Sequence, residues 1–321
     1  LNIADGTFEN ISIFANSGYK YSYILGLDME GGSDGDLIRN GKLNKVIADQ
    51  LLVKAFNGLI DGSVTNTDLF WFDLVFDGGY SSAVKNAIAS LVHRRADCIA
   101  ILDNGDNLTP QASLDSRRRI HSFNSEYVAL YEPYVEVYDQ FSGKYIWITP
   151  VYVMAELIPA NDRVNEVWYA VAGFKRGNTT SVRNTRYLVS KDDRDNFYLN
   201  QINPFVQFKE GTVMWGQLTT LKQTNALQNL NVMRLVLYVK RAIEQYCRNF
   251  IFEFNDDVTR ENIKKGIAAF LEDIKVRRGL YDYQVNVYAD EYAILRKIVY
   301  VDVVLFPTRT IEKIMLTFRV K

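Results

Sequence analysis

The sequence predicts a protein of about two domains that mixes helices and strands, with a βαβ pattern in its first part and a change of texture from about residue 202. Three observations carry this. The chain has 321 residues, and at about 100–200 residues per domain that suggests two domains. Between residues 68 and 102 a strand pattern, an amphipathic helical pattern and a second strand pattern follow one another as in a right-handed βαβ crossover. After residue 202 two long helical stripes precede three consecutive strand patterns.

Taken in order, Ile11 and Ile13, then Tyr19, Tyr21 and Tyr23, alternate as strands do. Gly31-Gly32-Ser33-Asp34-Gly35-Asp36 is a turn. Leu43, Val46, Ile47, Leu51 and Ala55 recur at helical spacing until Asn57-Gly58 stops them. Residues 68–76 read as an aromatic-rich strand. Ser81 or Ser82 caps a helix with Val84, Ala87, Ile88, Leu91 and Val92 on one face, and its basic end, His93-Arg94-Arg95, suits the helix dipole. Residues 98–102 form a buried strand. Residues 126–138 read as one long strand, turned by Gln140-Phe141-Ser142-Gly143 into a hairpin with 144–149. Pro150 opens a helix to Leu157. Residues 173–200, rich in Asn, Arg and Asp, read as a long surface excursion.

Residues 213–215 are a strand. Val232, Leu235, Val236, Val239, Ala242, Ile243 and Tyr246 stripe a helix, and Met233 and Leu237 lie off the stripe, so this helix is covered on two sides. Residues 250–254 read as a short strand. Thr259 caps a second helix with Ile263, Ile267, Phe270, Leu271 and Ile274 inward, closed by Arg277-Arg278 and then Gly279. Strands follow at 283–288, 297–306 and 310–320.

Composition excludes several classes. Hydrophobic residues are 48% and charged residues 23%, an ordinary globular balance. Lys+Arg is 37 against Asp+Glu 38, so no global basic excess points to nucleic acid. No apolar run reaches the length of about 18 residues that marks a transmembrane helix. Cys98 and Cys247 are far apart and read as reduced thiols, and two histidines starve most zinc sites. Charge is uneven: residues 1–205 hold 19 Lys+Arg against 25 Asp+Glu, and residues 206–321 hold 18 against 13. That asymmetry suits head-to-tail contacts between copies. The chain starts at Leu1 and reads as a piece of something longer.

Chemistry is scarce. The glycines at 31–35 lack the GxxxxGK[ST] or GxGxxG spacing of a phosphate loop. Asp103-Asn104-Gly105-Asp106-Asn107 lacks EF-hand spacing and reads as a solvated turn. Arg117-Arg118-Arg119, before His121, reads as a solvated face or an interface. No GxSxG elbow occurs. Trp71, Trp147, Trp168 and Trp215 read as core or interface anchors. No catalytic, cofactor-binding or metal-ligating residue is nominated. The enzyme alternative is an α/β hydrolase or nucleotide-binding protein using the turns at 31–36 and 77–80.

Eight ordered segments resemble the tail sheath proteins of contractile injection systems, the family of myovirus-type contractile tails. They are Gly31-Gly32-Ser33-Asp34-Gly35; residues 95–103; Tyr127 to Val135; Asn161-Asp162-Arg163 with Val167-Trp168 and Gly173; Gln201-Ile202-Asn203-Pro204; Gly211 to Trp215-Gly216; Leu230-Asn231-Val232-Met233-Arg234-Leu235; and Phe252-Glu253-Phe254-Asn255-Asp256. The resemblance marks Gly31, Gly32, Asp34, Gly35, Trp168, Asn203, Trp215, Arg234, Glu253 and Asn255 as structural motif residues. It implies an α/β core of subtilisin-like topology without catalysis at 29–205 and an α+β C-terminal domain at 206–321. Residues 1–28 would be the remnant of an upstream region.

It further implies a virion subunit, made in the host cytoplasm. That subunit polymerises helically with itself around an inner tail tube protein, between baseplate and tail terminator proteins, with no cofactor, nucleic acid or membrane insertion. Another virion tail or baseplate protein is the structural alternative. Arg309, Ile311, Lys313, Ile314, Leu316, Phe318, Arg319 and Val320 belong to a basic, amphipathic final strand expected to pair with an edge in a neighbouring copy.

Overall fold

The computed structural model describes residues 38–39, 42–59, 62–310 and 312. The turn with Gly31, Gly32, Asp34 and Gly35, the region 1–28, and Ile311, Lys313, Ile314, Leu316, Phe318, Arg319 and Val320 of the final strand lie outside the described residues.

A short hairpin, β1 (Ile38–Arg39) and β2 (Lys42–Leu43), leads into α1 (Lys45–Phe56). After a 3-10 turn (Gly62–Thr65) come β3 (Leu74–Phe76), α2 (Ser82–Arg95), β4 (Ile99–Asp103), α3 (Pro110–Arg119) and β5 (Val128–Glu132). The strand expected over 68–76 shrinks to three residues because Arg95 claims the preceding backbone. Its guanidinium donates to the carbonyls of Val64 (2.6 Å) and Phe70 (2.7 Å) and lies 4.2 Å over the Phe72 ring. That ties the loop to the end of α2 instead of to a neighbouring strand.

The strand expected over 126–138 is two. β5 ends at Glu132, and β6 (Val135–Asp139) starts after Pro133, which has no N–H to continue the ladder. β6 pairs antiparallel with β7 (Lys144–Ile148) and with β9 (Val182–Thr185), a second, three-stranded sheet. α4 (Pro150–Val164) runs past its expected end at Leu157, because Ile158 and Asn161 keep its inner face buried.

Residues 173–200 are not a structureless excursion. They hold α5 (Gly173–Arg176), β8 (Asn178–Thr179), β9 and α6 (Lys191–Leu199). α6 hides in a polar sequence because it buries only Phe197 and is started by a capping box in which Ser190 and Asp193 bond reciprocally. β10 (Ile202–Phe208) and β11 (Gly211–Met214) then complete the main sheet, order β3-β4-β5-β10-β11-β8. β3, β4, β5 and β10 run parallel, and β11 and β8 are antiparallel additions. The expected boundary at 205/206 falls inside β10.

The central strands are covered on both faces. Ala100, Leu102, Val128 and Leu130 meet Val84, Ile88 and Val92 of α2, whereas Ile99, Ile101, Ala129 and Tyr131 meet Met154 and Ile158 of α4. A 3-10 turn (Ala226–Gln228) leads into α7 (Leu230–Arg248), which is followed by α8 (Asp257–Val276), β12 (Leu280–Tyr288), α9 (Glu291–Leu295) and β13 (Tyr300–Pro307). α7 is two-sided as its pattern predicts. Leu230, Met233 and Leu237 join the sheet core, while Leu235 and Val239 pack with Ile263, Ile267, Leu271 and Ile274 of α8.

Residues 250–254 form a turn, not a strand. Phe252 has a left-handed φ of 76° and Phe252 and Phe254 face solvent, so neither anchors a ladder. Asp256, not Thr259, caps α8, accepting the Thr259 N–H at 2.8 Å. At the other end of α8, Arg278 takes the left-handed φ of 67° expected of Gly279. Gly279 is needed for space: an added Cβ would lie 2.6 Å from Ile274 Cγ2 and 3.0 Å from Trp168 Cε2. Gly279→Ala should therefore destabilise the chain by about 1–3 kcal/mol through overpacking, read as a lower urea midpoint at unchanged slope. An unchanged midpoint would mean that Trp168 can move aside freely.

Candidate functional site

Ligands of α/β sheets usually sit beyond the carboxyl ends of parallel strands. Here Asp77, Asp103 and Glu132 stand at the ends of β3, β4 and β5, all buried. Lys85 of α2 reaches between the first two, 2.6 Å from Asp103 Oδ1 and 3.3 Å from Asp77 Oδ2. Asp77 also accepts the N–H groups of Gly79 (3.0 Å) and Tyr80 (2.9 Å). Glu132 accepts from Asn107 Nδ2 (2.5 Å), Ser113 Oγ (3.1 Å) and Tyr187 Oη (3.3 Å). Asn104 donates to Ser113 Oγ, and its Oδ1 lies 3.1 Å from His121 Nδ1. The 103–107 segment is thus not the solvated turn its sequence suggests; Asp103 and Asn104 are fully buried because they hold α2 and α3 to the sheet.

Burial sets the protonation states. It pushes the Glu132 carboxyl up to about 8, and, together with the Asp103 charge, the Asp77 carboxyl up to about 6. Burial lowers His121 to about 4, so the imidazole is neutral at pH 7. The Arg117–Arg119 run is likewise not one solvated face. Arg117 is buried and donates to the carbonyls of His121 (2.6 Å), Asn200 (2.9 Å) and Phe123 (2.9 Å). Such a cluster can hold strand ends together. Its Ser, His and carboxylates are sealed against one another: Ser113 and Glu132 have no accessible surface. Sequence reasoning missed it because Asp77, Lys85 and Glu132 are unremarkable singly. The signal available was that each acid directly ends an apolar run.

The motif residues scatter over the fold. Asn203, fully buried, donates to the carbonyls of Leu130 (3.0 Å) and Leu218 (2.7 Å) and accepts the Leu218 N–H (2.6 Å). Arg234 of α7 pairs with Asp162 of α4. Trp168 is buried beside α8, its Nε1 donating to the Arg277 carbonyl at 3.3 Å. Asn255 donates to the Ile298 carbonyl (3.2 Å) and accepts from Arg260 Nη1 (2.6 Å). Glu253 is exposed. Trp215 is partly exposed, packed against Phe174 and Phe208.

Trp215 lines an open cleft of about 1130 Å³ between the main sheet and the C-terminal elements. The chain leaves β13 through this cleft. Thr308 donates its N–H to the Gly279 carbonyl (3.2 Å), Gln217 Nε2 donates to Thr310 Oγ1 (2.5 Å), and Tyr198 Oη donates to Glu312 Oε2 (3.0 Å). Arg309, the first residue of the expected linking strand, lines the same cleft. Among the described residues no group of three His, Cys, Asp or Glu could hold a metal ion, and no helix is long and apolar enough to cross a membrane.

Residues 222–321 match the family model of the phage tail sheath C-terminal domain. The chain is 29% identical over 225 residues to the tail sheath protein of Vibrio phage KVP40, covering 64% of this chain and 34% of that protein. It is 24% identical over 304 residues to the tail sheath protein of Enterobacteria phage T4, covering 88% and 46%. The chain therefore spans between a third and a half of these relatives. Among solved structures, the sheath complex of an extracellular contractile injection system in its contracted state matches with a TM-score of 0.70 at 21% identity, over 86% of this chain and 80% of that one. The contracted anti-feeding prophage baseplate gives 0.70 at 20%, over 87% and 82%.

The acid cluster makes stability pH-dependent. A carboxyl whose pKa rises on folding binds its proton more tightly in the folded chain, so Glu132 favours the fold fully below about 4.5, and this is lost as pH climbs through about 8. Glu132→Gln keeps an amide oxygen for Asn107 and Ser113. It should leave the melting temperature at pH 5 nearly unchanged and exceed the unsubstituted chain at pH 9 by on the order of 3 kcal/mol. Parallel melting curves across pH would sink the assignment.

Proposed function

We propose that this chain, which belongs to the contractile tail sheath proteins, is part of a structural subunit that polymerises helically around an inner tail tube. Contraction of that polymer drives the tube through the host envelope. The match of residues 222–321 to the sheath C-terminal domain carries the reading. The likeness to a sheath and to a baseplate component supports self-assembly and an end seated on a baseplate. The parallel order of β3, β4, β5 and β10 supports the subtilisin-like topology expected of the core, and the sealing of Ser113, His121 and Glu132 supports a non-catalytic one. Work would come from interface free energy, not from bond chemistry.

The hairpin β12–β13 supplies a means of linkage. It is a two-stranded sheet, so each strand has one edge without a strand partner among the described residues. A terminal strand from a neighbour could add about five backbone hydrogen bonds there, at about 1 kcal/mol each. The donor would be the final strand of this chain, which starts in the cleft just past β13.

Deleting residues 313–321 spares the contacts of Thr308, Thr310 and Glu312. The shortened protein should stay soluble, melt within a few degrees of the full chain, and form no tubes in negative-stain images where the full chain does. Loss of the folded C-terminal domain would place the strand in its own subunit, and tubes without it would remove its linking role. Peptidase, esterase and nucleotidase assays should read background; a turnover abolished by Ser113→Ala would overturn the structural reading.

A further inference from the structure

The cleft beside Trp215 carries buried polar groups that the fold leaves unpaired. Three residues of its wall each carry a buried polar atom without a hydrogen-bond partner: Gln217 Oε1, Asn231 Oδ1 and Arg194 Nε. The amides are oriented. Asn231 Nδ2 donates to the Trp168 carbonyl at 3.1 Å, and Gln217 Nε2 donates to Thr310 Oγ1, which leaves the oxygen of each amide as an unused acceptor on a residue of the cleft wall. Both side chains are more than nine-tenths buried. A buried polar atom without a partner costs about 1–3 kcal/mol. Two acceptors and one donor in a groove are what peptide N–H and C=O groups would satisfy. Trp215 lines the cleft with an aromatic face and is backed by Phe174 and Phe208.

Charge selects the occupant. The cleft is lined by Lys175, Arg176, Lys191, Arg194, Arg278 and Arg309 against Asp195 and Glu312. The final residues of the chain, with Lys313, Arg319 and Lys321, have the same sign and do not complement it. Residues 1–37 do. They hold Asp5, Glu9, Asp28, Glu30, Asp34 and Asp36 against Lys20 alone, with the strand-like alternation of Ile11 and Ile13 and of Tyr19, Tyr21 and Tyr23. Extended, 37 residues could span about 120 Å, enough to reach the cleft of the same copy or of a neighbour.

We propose that the basic cleft between α6, β10 and the end of β13 binds the acidic segment 1–37 of this chain as an extended strand. Its backbone meets Gln217, Asn231 and Arg194, and its carboxylates meet the surrounding cations. The proposal is independent of the sheath reading and holds for the folded chain whether or not tubes form.

Zero-length carbodiimide coupling of the full chain, followed by peptide mapping, tests it. Amide cross-links should join carboxylates of residues 1–37 to Lys175 or Lys191, within one copy or between two, either of which supports docking. Their yield should fall about fivefold or more in the double variant Arg194→Glu, Arg309→Glu, and likewise in 1 M salt, where the screening length is about 3 Å. The Lys275–Asp282 pair, 2.9 Å apart, reports that the variant is folded. If Lys175 and Lys191 couple only to carboxylates outside 1–37, or if the charge reversal leaves the yield unchanged while Lys275–Asp282 still couples, the proposal fails.

Discussion

Asn203 fixes where the parts of this molecule meet. Its amide ties β10 to β5 through Leu130 and grips both backbone groups of Leu218, a residue on the segment returning from β11. The grip needs a close approach: an added Cβ at Gly216 would stand 2.7 Å from Asn203 Oδ1. With Leu218 held, Gln217 presents its carbonyl to the Leu230 N–H at 2.7 Å, which fixes the first residue of α7. α7 then has one face on the sheet and the other on α8, so the C-terminal elements are positioned from a single buried amide. The same segment places Gln217 in the cleft wall.

Buried charge holds the other end of the sheet. Asp77, Lys85 and Asp103 would each be costly to bury alone, and together they satisfy one another with help from backbone N–H groups. Where many α/β proteins leave room for a ligand, this chain has filled the strand ends with its own side chains. The chemistry of these side chains is spent on holding α2, α3 and the loops to the strand ends.

Adhesive features lie toward the C-terminal half instead. The open-edged hairpin, the exposed Phe252 and Phe254 turn and the basic cleft all follow or border residue 202. The charge division of the sequence, acidic before residue 205 and basic after it, is not what makes the cleft basic: Lys175, Arg176, Lys191 and Arg194 of its wall precede residue 205, and only Arg278 and Arg309 follow it. Much of the acidic excess sits in residues 1–37, whereas other acids of the first part already meet cations of the second within the fold, in the pairs Arg234–Asp162, Arg241–Asp73, Arg248–Asp68 and Arg277–Glu166.

Amphipathic periodicity made α2, α7 and α8 legible, because a helix that buries one stripe writes that stripe into its sequence; α1 is a helix where one was expected, but Val46 and Leu51 of its stripe are exposed and it packs through Leu52, Val53 and Phe56 instead. The two-sided covering of α7 was readable from Met233 and Leu237 for the same reason, and the ordered motifs carried the resemblance to tail sheath proteins. Elements whose stability comes from single long-range bonds were not legible. α6 rests on Phe197 and a cap, β3 is cut short by Arg95 reaching back from α2, and the break after β5 follows from one proline. The polar residues of 103–107 read as solvated, since nothing local shows that Lys85, Ser113 and His121 will arrive to satisfy them. Hydrophobic pattern is a local property and survives in the sequence. Satisfaction of a buried donor or acceptor is a property of partners tens of residues away, and only the tertiary structure brings those together.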